Sequence, residues 1–219
     1  MGVLLMLMTI GGLIVAAILF LIALYTGEAW LAKFVCGGVV VWFVFYFTML
    51  IGVSLFSSEK TIELNEPKAF CGFYFDCHMH AAVKSVRTAK SIGGKTANGK
   101  FYIVTVKVFS DAVKAALGLI TVEAHVVDAS KREYARDLDA ETQLPAQPEF
   151  EKQIGPQESF EKEIVFDLPV DIKDPRLDIR EGYGIDHAIE TVLIGDEDSI
   201  FHKRVYFNIS EQNTLAGVK

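Results

Sequence analysis

The positions of charged and apolar residues divide this chain into two very different parts. Residues 1–56 contain two charged side chains, Glu28 and Lys33, which lie in a short polar break between the apolar runs 3–25 and 34–56. Each run is long enough to cross a bilayer, because roughly 20 apolar residues at 1.5 Å per residue span a ~30 Å hydrocarbon core. The pattern therefore predicts two N-terminal transmembrane helices that form a hairpin, with the lipid bilayer as partner.

Two features of the apolar runs refine this prediction. The first run has no Lys or Arg ahead of it and is longer than the apolar region of a typical signal peptide, so we expect it to be retained. Both runs also contain glycines, which allow antiparallel helices to approach closely. These residues are Gly11, Gly12, Gly37, Gly38 and Gly52.

After the hairpin, alternation of polar with β-branched or aromatic residues replaces the continuous apolar pattern. The polar stretch 57–69 is typical of a juxtamembrane linker. Residues 100–109 and 159–168 alternate as strands buried on one face do. Several such short strands, separated by turn residues, predict a mainly β fold. We expect an antiparallel immunoglobulin-like β-sandwich over residues 70–210, followed by a tail, 211–219.

Charge excludes one class of partner for the polar part of the chain. The two charges of the hairpin cancel, so the whole net charge of −7 belongs to the residues after it. Neutralising the phosphates of a nucleic acid requires a basic stripe, and the sequence has no tract rich in Lys and Arg. We therefore expect no nucleic acid as a partner.

The sharpest local signal for chemistry is a group of cysteines and histidines between positions 71 and 80. Cys71, Cys77, His78 and His80 offer thiolate and imidazole, ligand types that suit copper or zinc. On an extended strand the two histidines point to one face and Cys77 points to the other. A metal site here therefore needs a bulge in the strand or a residue from another segment.

The same cysteines allow a second interpretation, which is a disulfide between Cys71 and Cys77. A disulfide needs Cα atoms within about 7 Å of each other, so the chain between them would have to turn back through Gly72. Two inert thiols are a further alternative. Because disulfides persist in oxidising compartments, the bridged form places the domain outside the cytoplasm.

Three consecutive carboxylates form a second candidate feature. Asp196, Glu197 and Asp198 lie between Gly195 and Ser199. Calcium takes 6–8 oxygen ligands, and this run lacks the spacing and the distal Glu of an EF-hand loop. We expect a solvated loop, with a contact surface for a partner protein as the functional alternative.

Four segments of the chain, taken in order, are 98–108, 127–134, 155–159 and 165–169. Together they resemble a bacterial immunoglobulin-like family of extracytoplasmic domains of unknown function, and the resemblance covers about residues 70–180. Lys131 stands where the family's hairpin has a glycine. Members are commonly lipoproteins or membrane-tethered modules that face outward. The resemblance therefore implies an anchor in the bacterial inner membrane, with the domain outside the cytoplasm, and it carries over no functional residue.

The sequence contains no arrangement of residues that is typical of an enzyme. A G-x-S-x-G elbow, an H-E-x-x-H pair and a complete phosphate-binding loop are all missing. We therefore expect a non-enzymatic binding or structural module of the cell envelope, without a cofactor, that acts as an accessory subunit or partner of a membrane complex. The alternative is a copper- or zinc-handling protein that uses Cys71, Cys77, His78 and His80.

Overall fold

The computed structural model of the protein describes residues 2–72, 76–182 and 184–210. Four helices and nine strands occur in this part of the chain. They are α1 (Gly2–Thr26), α2 (Ala29–Leu55), β1 (Lys60–Ile62), β2 (Lys68–Gly72), β3 (Asp76–Ile92), β4 (Lys95–Ser110), β5 (Val122–Val127), β6 (Glu133–Ala135), α3 (Leu138–Glu141), β7 (Ser159–Leu168), β8 (Arg176–Glu181), α4 (Gly184–Glu190) and β9 (Val205–Asn208).

These elements form two compact units. The first unit contains residues 1–59 together with 184–204, and the second contains residues 60–183 together with 205–219. In the first unit, α1 and α2 are both long and apolar enough to cross a membrane, as the hydropathy pattern predicts. A turn at Gly27, whose φ is +76°, separates them, and Trp42 Nε1 of α2 donates a hydrogen bond to Thr9 Oγ1 of α1 at 3.0 Å.

The glycines of α1 and α2 do not lie at the contact between the two helices. A Cβ atom added at any of the five positions would meet no described atom within 4 Å, whereas close packing of α1 on α2 would bring neighbouring atoms to that distance. The prediction that these glycines bring the two helices together is therefore wrong, because larger side chains such as Trp42 and Thr9 make the contact instead. The open positions are Gly11, Gly12, Gly37, Gly38 and Gly52.

Residues 184–204 pack against the C-terminal half of α2 in the first unit. The hydroxyl of Tyr46 donates to the carbonyl of Val192 at 2.7 Å, and the buried hydroxyls of Ser54 and Ser199 lie 3.1 Å apart. Leu193 is also buried. A segment that the sequence assigns to the sandwich therefore belongs with the helical hairpin.

The second unit is a β-sandwich, as the strand pattern predicts. One sheet has the order β1-β9-β8-β5-β6 and the other the order β2-β3-β4-β7. Both sheets contribute to one apolar core, which includes Val104 and Phe166 from the second sheet and Leu177 and Phe207 from the first. All the strand pairs are antiparallel except β1 with β9, which is parallel.

The sandwich begins earlier in the chain than predicted. Its first strand is β1, which lies within the stretch 57–69 that reads as a linker, and β2 begins there as well. β1 is three residues long and gains its place by pairing with β9, which lies far along the chain. A pairing over that distance leaves no periodic signal in so short a strand, so the local sequence resembles a linker.

The hairpin that joins β5 to β6 contains the segment 127–134. The buried carboxylate of Asp128 accepts hydrogen bonds from the backbone N–H groups of Ser130 and Arg132 and from the hydroxyl of Tyr134. Lys131, at the expected glycine position, adopts a φ of +59°, in the left-handed region that glycine enters most easily. The Asp and Tyr of this motif therefore fix a turn.

Candidate functional site

Cys71 and Cys77 are joined by a disulfide, which confirms one of the three interpretations of these cysteines. Their Cα atoms lie 3.9 Å apart, and Gly72 pairs with Asp76 after a register shift between β2 and β3. The chain therefore turns back between the cysteines, as the spacing requires for a bridge. Residues 73–75 at the turn lie outside the described part of the chain. Because the two sulfurs are bonded to each other, neither offers a thiolate while the bridge is intact.

The two histidines of the cluster contact the carboxylate of Asp111, which lies far from them in the sequence. His78 Nδ1 lies 2.6 Å from Asp111 Oδ1, and His80 Nε2 lies 3.2 Å from Asp111 Oδ2. Strand alternation puts Met79 on the other face, in the core. The structure thus separates the four predicted ligands into a disulfide and a His–Asp–His group.

Asp111 reaches the histidines because of sheet register. It directly follows β4, whose Ser110 pairs with Met79 of β3. Hydrogen bonds with His78 and His80 lower the pKa of the Asp111 carboxyl, and partial burial opposes them. The imidazole of His80 also stacks on Phe109, with ring centroids 5.0 Å apart. The group therefore holds an ionised carboxylate between two imidazoles at one end of β3.

The three consecutive carboxylates do not act together in the structure. Asp196 closes a turn, since its Oδ1 accepts from the backbone N–H of Asp198 at 3.0 Å. Asp198 forms an ion pair with Arg204 at 2.9 Å. Of the run Asp196, Glu197 and Asp198, the last residue alone belongs to a close group of potential metal ligands in the described part of the chain.

That group joins Asp198 to two residues of α4. One ligand atom each from His187, Glu190 and Asp198 lie within 4.8 Å of one another. His187 Nδ1 is 2.9 Å from Glu190 Oε2, because residues three apart on a helix share a face. The spacing of three residues within a short helix is a local signal for this pair, whereas no pattern in the sequence indicates that Asp198 returns to it.

The sandwich also has an open cleft along its edge, with a volume of about 920 Å³. Its carboxylates serve the fold: Asp167 accepts from the backbone N–H groups of Asn98 and Gly99, and Asp137 forms an ion pair with Lys95. Burial acts to raise the pKa of Asp137, but the hydrogen bond and charge of Lys95, together with the backbone N–H groups of Ala140 and Asp139, outweigh it and lower the pKa. These groups hold strand ends together.

Three solved bacterial structures are similar to this chain at low sequence identity. The secreted protein MPT63 of Mycobacterium tuberculosis is 12% identical, covering 69% of this chain and 98% of that one, with a TM-score of 0.42. The yjhA protein of Bacillus subtilis is 13% identical, covering 68% and 98%, with a TM-score of 0.43. An uncharacterized β-sandwich protein from Clostridium difficile 630 is 12% identical, covering 70% and 96%, with a TM-score of 0.38.

No protein-family model matches the chain, and the search of curated proteins finds no match. The fold assignment therefore comes from the two sheets and their shared core. The resemblance to the immunoglobulin-like family stays a prediction.

Proposed function

We propose that this protein is a membrane-anchored, non-enzymatic module of the bacterial cell envelope that binds a partner within a membrane complex. In this proposal α1 and α2 hold the chain in the inner membrane, and the β-sandwich lies on its outer side. The partner contacts the hairpin inside the bilayer and includes at least one transmembrane helix of its own.

The observation that carries this proposal is the open surface around the helix glycines. Glycines in membrane helices favour close helix–helix contact, because they let two backbones approach. Within the described chain, a Cβ atom added at Gly12 or at Gly38 would meet no other atom within 4 Å. Both residues line a cavity of about 490 Å³ between α1 and α2, together with Thr9, Ala16 and Trp42. Larger apolar side chains, such as Leu13 and Phe34, complete its lining, so a helix from another protein would place apolar side chains in this cavity.

The disulfide supports a location outside the cytoplasm. Cys71 and Cys77 are both exposed, and an exposed bridge in the cytoplasm would be open to reduction by the thiol systems of that compartment. With two membrane crossings, the N-terminus of the hairpin and the sandwich lie on the same side of the membrane.

The test is purification of the full-length protein from its native membrane in a mild detergent, with and without prior cross-linking. We expect a transmembrane protein to co-purify at a fixed ratio. Replacing both cavity glycines, in Gly12→Leu with Gly38→Leu, should remove that protein, since the two leucines fill the cavity. Val41→Leu is the matched control, because Val41 is 69% exposed on the same helix as Gly38 and adds one methylene outside the cavity.

Two results would overturn the proposal. One is recovery of the protein alone after cross-linking, at full yield and with its hairpin intact. The other is a partner that is retained equally by the glycine double variant and by the Val41→Leu control, since contact in the cavity would then be irrelevant. A reporter fused after the sandwich that is active only in the cytoplasm would overturn the proposed orientation.

A further inference from the structure

The geometry points to a divalent transition-metal site, of the kind that zinc occupies, formed by His187, Glu190 and Asp198. This site lies in the segment that packs on α2 and is separate from the Cys71–His80 cluster. It does not depend on the partner proposed above, because all of its ligands belong to this chain.

The first argument is the convergence of ligand atoms from two places in the chain. His187 and Glu190 lie on one face of α4, whereas Asp198 comes from the turn after it. One backbone contact holds that turn against the helix end, since Ile200 N–H donates to the Thr191 carbonyl at 3.0 Å, and Ser199 N–H donates to the Asp196 carbonyl at 3.2 Å within the turn. The three ligand atoms lie within 4.8 Å of one another.

That spacing is close to what a metal requires. Bonds of 2.0–2.2 Å in a tetrahedral zinc site place neighbouring ligand atoms about 3.4 Å apart. Small side-chain rotations would therefore bring the three groups to one ion. Three protein ligands would leave one position for water or for a ligand from another molecule.

The second argument is the state of the His187 imidazole. Its Nδ1 lies 2.9 Å from Glu190 Oε2 and therefore faces the carboxylate with which it would share the ion. Imidazole also selects the metal class, because calcium and magnesium prefer oxygen ligands alone.

The third argument is local charge. Glu190 and Asp198 each offer a carboxylate oxygen, and these atoms lie within 4.8 Å of each other and of a His187 nitrogen. Arg204 forms an ion pair with Oδ1 of Asp198 at 2.9 Å. A divalent cation would be attracted to the two carboxylates, and Arg204 would remain beside Asp198.

Metal at this site would fix the segment that covers α2. Tyr46 contacts Val192, which lies between the proposed ligands Glu190 and Asp198, and Ser54 contacts Ser199, which directly follows Asp198. Bridging α4 to residue 198 would therefore close a loop that carries the first contact and ends beside the second.

The experiment uses the full-length protein in detergent, stripped of metal with a chelator and then titrated with zinc chloride by calorimetry. We expect one zinc per chain, with calcium chloride unable to compete. His187→Ala and Glu190→Gln should each weaken zinc binding by at least the 10–100-fold that loss of a supporting residue costs at known metal sites. The matched control is the double variant His78→Ala with His80→Ala, which removes the other histidine group and should bind zinc unchanged.

Cobalt provides a second readout if His187→Ala fails to fold. Glu190→Gln keeps the shape of its side chain, so its folded protein should show an altered or missing visible cobalt spectrum. The inference is overturned if zinc fails to bind at micromolar concentration, or if both site variants bind it like the unaltered protein. It is also overturned if the His78 and His80 double variant is the one that loses binding.

Discussion

Replacement of Phe207 by alanine tests whether the chain after residue 204 completes the sandwich. Phe207 is fully buried in β9, where it is opposite Ile62 of β1 and Leu177 of β8. Removing a buried phenylalanine side chain from a packed core costs about 3–5 kcal/mol of unfolding free energy. With a dependence of roughly 2 kcal/mol per molar urea for a domain of this size, the unfolding midpoint should fall by about 1.5–2.5 M.

Pulse proteolysis of the full-length protein in detergent measures this shift, because a short exposure to protease cleaves the unfolded sandwich in proportion to its population. The matched control is Phe201→Ala, which makes the same deletion at a side chain that is 62% exposed. The control should change the unfolding free energy by less than about 0.5 kcal/mol. If the two variants have equal midpoints, β9 does not contribute to the core and the assignment of this strand is wrong.

Two further predictions concern the disulfide and the response of the sandwich to acid. Cys71 and Cys77 are six residues apart, so reduction should lower the unfolding free energy by about 2 kcal/mol, the contribution of loop-closure entropy expected for so short a loop. Urea unfolding with and without reductant measures this difference. The double variant Cys71→Ser with Cys77→Ser should ignore the reductant, and an equal response there would refute the assignment. The hydrogen bond and charge of Lys162 lower the pKa of Glu149 below its ordinary 4.5. The ionised Glu149 therefore stabilises the folded protein fully above pH 4.5, and this contribution is lost as the pH falls through the lower pKa of the folded state. The urea unfolding midpoint should therefore fall less steeply with decreasing pH in Glu149→Gln than in the unaltered protein, and identical slopes would contradict the pairing.

Local patterns predict those parts of the fold that local interactions determine. The alternation of 159–168, which ends before Pro169, coincides with β7, and the two apolar runs coincide with α1 and α2 within a few residues. Long-range pairings leave no such pattern. β1 is three residues long and exists because β9 pairs with it in parallel, so its own sequence resembles a linker.

The candidate sites show the same limit. The Cys71–Cys77 bridge follows from spacing and a glycine, so the sequence predicts it as one of its alternatives. Asp111 reaches His78 and His80 through the register of β3 with β4, and a one-residue shift of that register would point it to the other face. His187 and Asp198 meet through the return of a loop, which no periodicity encodes.

The excursion of residues 184–204 into the helical unit means that the polypeptide passes between the two units at three peptide junctions, near residues 59, 183 and 204. A single protease cut at one junction would therefore leave the sandwich covalently tethered to the hairpin. A truncated chain that starts at residue 60 would retain this excursion without α2, and Leu193 and Ser199 would lose the helix that now buries them. A soluble version of the sandwich is better obtained by joining Gly182 to Val205 through a short flexible linker, which omits the excursion together with the hairpin.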